Sequence, residues 1–167
     1  EKYLSEGPPL MPCYAERDNA MAQYLVGVDC LENQNAPDEA RKWFEQGAEQ
    51  GHALAQNALG MMYYQGRGVP RDGDKAGEYF RLAALQGNPN AEYNLATLYY
   101  SGYGVPQDYE MARRLFQRAA EKGNSNAMNN LGWLYQEGRG VPRDGGKAAA
   151  WYRKSAETGN PDGQFNY

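Results

Sequence analysis

One segment of the chain repeats at a fixed interval. Gly66-Arg67-Gly68-Val69-Pro70-Arg71-Asp72 returns as Gly102-Tyr103-Gly104-Val105-Pro106-Gln107-Asp108 and again as Gly138-Arg139-Gly140-Val141-Pro142-Arg143-Asp144, each step being 36 residues. The same offset joins Leu59, Leu95 and Leu131; Ala76, Ala112 and Ala148; Phe80, Phe116 and Tyr152; and Gly87, Gly123 and Gly159. A unit this short cannot bury an apolar face alone, so the period itself demands stacked copies. An altered copy precedes these three. Ala40, Phe44, Ala48 and Gly51 stand 36 residues before their counterparts, whereas Leu25 stands 34 before Leu59. That alignment removes two residues between Asp29 and Asp38, where the Gly-x-Gly-Val-Pro loop is absent. Asp162 to Tyr167 matches the opening Asn90 to Leu95 of a repeat, so the sequence is expected to end inside a fifth copy.

Within a copy, Ala55, Leu59 and Tyr63 are spaced by four, as are Ala76, Phe80 and Ala84. Each set is one apolar stripe on a helix. The spacing predicts a helix A over about 54–65 and a helix B over about 73–86. Gly66 and Gly68 can end helix A in a left-handed cap, and Val69-Pro70 keeps the connection extended. Asp72, Asp108 and Asp144 are placed to cap helix B, and Gly87, Gly123 and Gly159 to stop it, with Asn88, Asn124 and Asn160 following as turn formers. Helices of ~12–14 residues are marginal alone in water. The expected fold is therefore all-α, an α/α solenoid of helix-turn-helix units. Its divisions are an N-terminal arm over 1–19 carrying the end of a preceding helix, an atypical first repeat over 20–52, repeats over 53–89, 90–125 and 126–161, and the start of a fifth over 162–167.

Composition removes several classes of function. The formal charge of −4 leaves no basic footprint for phosphates, so no nucleic-acid partner is expected. The longest apolar run, Ala58 to Tyr64, is far short of the roughly 20 residues a bilayer needs, and no transmembrane segment is expected. His52 is the single histidine and sits in a turn between copies, where a solvated turn residue is favoured over a catalytic base. No histidine pair for zinc exists, and neither a metal nor another cofactor is expected. Gly66 and Gly68 follow a helix rather than a strand, unlike a phosphate-cradling loop. Asp72 and Glu78 do not converge as an acid–base pair. Cys13 and Cys30 are a candidate disulfide: antiparallel helices would set Cys13 opposite about residue 24, too far from Cys30, whereas an irregular arm would bring them together. The basic positions of helix B (Arg113, Arg114, Arg118, Lys122, Arg153 and Lys154) are expected to be solvated.

The pattern Ala-x-x-x-Leu-Gly-x-x-Tyr, Gly-x-Gly-Val-Pro-x-Asp, Lys-Ala, aromatic, Ala-Ala, Gly resembles the Sel-one-like repeats, relatives of the tetratricopeptide repeats with a longer loop. It is carried by Ala55, Leu59, Gly60, Tyr63, Gly66 to Asp72, Lys75, Ala76, Phe80, Ala83, Ala84 and Gly87, and by the later copies, over residues 53 to 161. The resemblance implies a right-handed superhelical solenoid and a non-enzymatic adaptor that binds another protein. Family habit places such adaptors in bacterial envelopes, secretion or signalling. That favours an envelope or periplasmic setting, including an immunity or chaperone-like role, over a cytoplasmic one. Any signal peptide is expected to lie outside this sequence. Disulfide-rich relatives are linked to β-lactam binding, so a hydrolase on the same repeats is the alternative, although their repeated cysteine pairs are missing here.

In tetratricopeptide-type stacks helix A lines the concave wall. Carried onto this chain, that geometry nominates Asn57, Met61, Tyr64, Tyr93, Thr97, Tyr100, Asn129, Trp133, Gln136 and Phe165 as the partner-binding wall, with Leu54, Gln65, Asn90, Ser101, Asn126, Glu137 and Asp162 alongside. These positions are rich in rings and amides and poor in charge, which suits a binder. A catalyst would need titratable groups converging in a pocket. Asn94 and Asn130 lie beside the wall and could pair with an extended backbone. Tyr63, Tyr99 and Tyr135 are expected to pack between helices.

Overall fold

The computed structural model describes residues 19–166, which form α1 (Ala20–Glu32), α2 (Pro37–Glu49), α3 (Ala53–Gln65), α4 (Gly73–Leu85), α5 (Pro89–Ser101), α6 (Tyr109–Glu121), α7 (Ser125–Glu137), α8 (Gly145–Glu157) and α9 (Pro161–Asn166). Odd-numbered helices are helix A of a repeat and even-numbered ones helix B. Each helix packs on the one before it and the one after it, giving an all-α right-handed superhelical solenoid. Cys13 lies outside the described residues, and with it the proposed disulfide. Cys30 is buried in the first repeat and has no disulfide partner among the described residues.

From the second repeat on, matching caps mark the ends of the helices. Asp72, Asp108 and Asp144 each accept the N–H three residues on, at 2.9–3.0 Å, and start helix B. Gly66, Gly102 and Gly138, at φ of 70–72°, end helix A in the left-handed conformation. Asn88 and Asn124 are more than turn formers. Their side chains accept from Ala91 and Ala127 at 2.9 Å and so open helix A of the next repeat. His52 holds the equivalent post in the second repeat: its Nδ1 accepts from Ala55 N at 3.4 Å.

Two packing constraints set the stack. Phe44, Phe80, Phe116 and Tyr152 of helix B are buried against helix A of the same repeat. A Cβ on Gly60 would meet the Phe80 ring at 2.7 Å, and one on Gly132 would meet Tyr152 at 2.6 Å. The second glycine of each loop makes the other constraint, between repeats. A Cβ on Gly104 would lie 2.0 Å from the backbone of Gly73, and one on Gly140 would lie 2.6 Å from the carbonyl of Tyr109. Each Gly-x-Gly loop thus sits on the start of the preceding helix B.

The first repeat departs from the expected register. Leu25 is 45% exposed, whereas Val26 is 8% exposed and fills the place of Leu59. The step between these helices is therefore 33 residues, with three residues removed. The loop that α1 lacks accounts for the difference.

Candidate functional site

Three hollows open along the helix A face, and they are related by the repeat. The first is about 230 Å³ and is lined by Tyr100, Phe116, Asn130, Trp133 and Leu134. The second, about 170 Å³, is lined by Met61, Tyr64, Phe80, Tyr93, Asn94 and Thr97. Stepping 36 residues forward converts Tyr64 to Tyr100, Phe80 to Phe116, Asn94 to Asn130 and Thr97 to Trp133. The third, about 190 Å³, includes Leu31, Phe44, Ala58, Met61 and Met62, the corresponding positions one repeat earlier, together with Glu32 and Arg67. Each floor is the phenylalanine of helix B, seen through a gap between successive helices A.

Rings and arginines shape the rims. Tyr100 meets Trp133 edge-on at 5.6 Å between centroids and Tyr109 at 5.4 Å. The Arg139 guanidinium lies 4.8 Å from the Trp133 centroid, and its Nη1 donates to the hydroxyls of Tyr100 and Tyr109 at 3.2 and 3.1 Å. Stacking of this kind orients the planar cation at little entropic cost. At the second hollow, Arg71 stands 4.6 Å from the Tyr103 centroid and 5.7 Å from that of Tyr64, and its Nε donates to the Tyr64 carbonyl at 3.0 Å. At the third, Arg67 donates to the Leu31 carbonyl at 2.8 Å. Burial pushes the Tyr100 hydroxyl above its ordinary pKa against the opposing pull of Arg139, so it remains a neutral hydroxyl at neutral pH.

The nominated wall residues divide by what they touch. Met61, Tyr64, Tyr93, Thr97, Tyr100 and Trp133 line the hollows and are half-buried. Asn57 accepts from Asn94 at 2.9 Å, and Asn129 from Asn166 at 3.0 Å, so these amides clamp neighbouring repeats. Gln136 accepts from the buried Tyr152 hydroxyl at 2.8 Å. Phe165 is 90% exposed on α9. Tyr63 and Tyr99 pack on the core, Tyr63 stacking on Tyr79 at 5.9 Å.

The repeat itself is a known one. The Sel1 repeat matches residues 20–52, 53–88, 89–124 and 125–160. The chain belongs to the Sel1 repeat family. Among solved structures, a Sel1 repeat protein from Oxalobacter formigenes is 35% identical with a TM-score of 0.84, over 93% of this chain and 64% of that one. A protective antigen of uropathogenic Escherichia coli displaying the same fold is 38% identical with a TM-score of 0.82, over 87% of this chain and 32% of that one. This chain thus spans about a third of the antigen and just under two thirds of the Oxalobacter protein. Cysteine-rich protein B of Helicobacter pylori shares the fold at 18% identity and a TM-score of 0.57, over 85% of this chain and 97% of that one. A search of curated proteins returned no match.

Within this Sel1 array the sequence reading missed the arginines and Tyr103 and Tyr109, which belong to the loop edge rather than to helix A. The signal was the variable middle position of Gly-x-Gly, occupied by Arg67, Tyr103 and Arg139. It also placed Arg118 and Lys122 in solvent. Both are indeed exposed, and the reading missed only that their tips reach Glu92, which is fully buried, at 2.7 and 2.8 Å. The carboxylate lies on the buried side of α5 and is reached by two exposed cations at the end of α6, which the helical stripe alone did not reveal. Among the described residues no three His, Cys, Asp or Glu side chains cluster to hold a metal ion, and no helix is long and apolar enough to cross a membrane.

Proposed function

We propose that this Sel1 array is a non-enzymatic binding module that holds another protein along its helix A face, in a bacterial envelope, secretion or effector-immunity setting. The observation that carries the reading is the recurrence of one hollow at three successive repeat junctions. A single pocket could be a packing defect, whereas three in register form a track. Half-buried Tyr and Trp rings offer contact area at low entropic cost, which is the make-up of interface hot spots. The rims carry arginine, tyrosine and amide groups rather than a nucleophile with its base. The bacterial sources of the similar structures support the bacterial setting, and a protective antigen among them supports an extracytoplasmic one.

Capture from native extract tests the reading. Tyr100→Ala and Trp133→Ala are expected to lose the partner that the unaltered chain retains, while Arg114→Ala on α6 keeps it. Unchanged capture by both ring variants would contradict the reading.

A further inference from the structure

We propose that the hollow at Tyr100 and Trp133 reads an extended peptide segment in which a large aliphatic or aromatic side chain neighbours an acidic one, the hollow taking the first and Arg139 the second. This rests on the helix A face being the binding face and adds the chemistry of what binds there.

The hollow has apolar and aromatic walls and a volume of about 230 Å³, suited to one large side chain. Its polar group is Asn130, whose side chain has no hydrogen-bond partner among the described residues, although the matching Asn94 and Asn166 each donate to an asparagine of the repeat before. The reason is local. Tyr93 occupies the place that Asn57 and Asn129 hold elsewhere, so the repeat before offers Asn130 no matching amide. An unclaimed amide beside an apolar hollow suits the backbone of an extended segment, which presents both a donor and an acceptor.

Charge then selects the neighbouring side chain. Arg139 gives Nη1 to the two tyrosines, and its Nη2 and Nε make no hydrogen bond among the described residues. No carboxylate of those residues lies within 4.0 Å of Arg139, Arg71 or Arg67. Asp72, Asp108 and Asp144, the acids of the loops, are committed to capping. Arg139 and Arg71 thus stand beside the first two hollows with no carboxylate in ion-pair range, whereas Arg67 lines the third together with Glu32. A carboxylate fits the open fork of Arg139, whereas a basic side chain there would meet a like charge.

The test pans a randomised peptide library against the whole chain and measures the enriched peptides by fluorescence anisotropy. The enriched set is expected to pair Leu, Ile, Phe or Trp with a neighbouring Asp or Glu and to bind more weakly as salt rises. Arg139→Gln is expected to weaken these peptides roughly three- to tenfold, as for a charge-assisted bond at a partly solvated site. Trp133→Ala should abolish binding and Trp133→Phe, which keeps the packing, should retain it, with matched helical circular dichroism for every variant. Peptides lost with Trp133→Ala yet free of acidic residues or indifferent to Arg139→Gln would overturn this inference and leave the binding face standing. Peptides indifferent to Trp133→Ala would overturn both. A library from which nothing is enriched would overturn this inference.

Discussion

Gly104 and Gly123 both have positive φ, 72° and 91°, but for different reasons. A Cβ on Gly123 meets nothing within 4 Å, so Gly123→Ala should cost only the left-handed backbone, about 1–2 kcal/mol. A Cβ on Gly104 would strike the backbone of Gly73, so Gly104→Ala must also push two repeats apart. Its expected cost is on the order of 3 kcal/mol or more. Urea midpoints compare the two directly, and equal losses would contradict the contact. Cys30 offers a second check. Burial pushes its thiol above the ordinary value, with Glu39 and Asp29 adding in the same direction, so little thiolate forms at neutral pH. A group with a raised folded pKa contributes stability below its unfolded value and loses it as pH rises. In a Cys13→Ser background a disulfide reagent should therefore modify Cys30 only on unfolding, and stability should fall as pH rises through the thiol range. Rapid modification of the native protein would contradict the burial.

At the scale of the helix, one buried column shows how repeats with a shared backbone differ. Gln23 accepts from Gln50, Gln56 accepts from Gln86, and Glu92 accepts from Lys122, each pair at 2.8 Å. Met128 takes the fourth place, with Thr158 at the partner position. Glu92 is fully buried and its Oε2 has no hydrogen-bond partner, so the ion pair is an expensive way to fill the column. Lys122→Ala should cost about 1–2 kcal/mol, because Arg118 remains on the same carboxylate while the bond from Lys122 to the Gly87 carbonyl is lost. Glu92→Met with Lys122→Thr, which copies the fourth repeat, should lose less than the single change. A double variant less stable than Lys122→Ala would refute that ordering. The helices and their Asp and Gly caps were legible in the sequence because they depend on local spacing. Glu92 was not, since no feature within α5 tells which neighbour a carboxylate will meet.

The whole molecule is a line of nearest-neighbour interfaces, and its stability should vary along that line. Helix α9 has six residues and packs on α8 without a helix B of its own among the described residues. Its amides should exchange fastest, and those of α3 to α6, flanked on both sides, slowest. Equal protection of α9 and α5 would mean a cooperative block in place of a chain of units. The solenoid was readable from the 36-residue period, which fixes which positions share a face, whereas the choice of helix A as the wall came from the resemblance to tetratricopeptide-type stacks. The arginine rims were not, because Arg67 and Arg139 reach from the loop of one repeat to helix A of the repeat before, and Arg71 folds back on its own helix A and the next loop. The central claim is that this wall is the surface a partner touches. Photo-crosslinking residues placed at Thr97 and Trp133 on helices A, and at Arg81 and Arg114 on helices B, test it most directly in the native host. A specific crosslinked protein from the helix A positions alone is predicted; crosslinks from the helix B positions alone would contradict it.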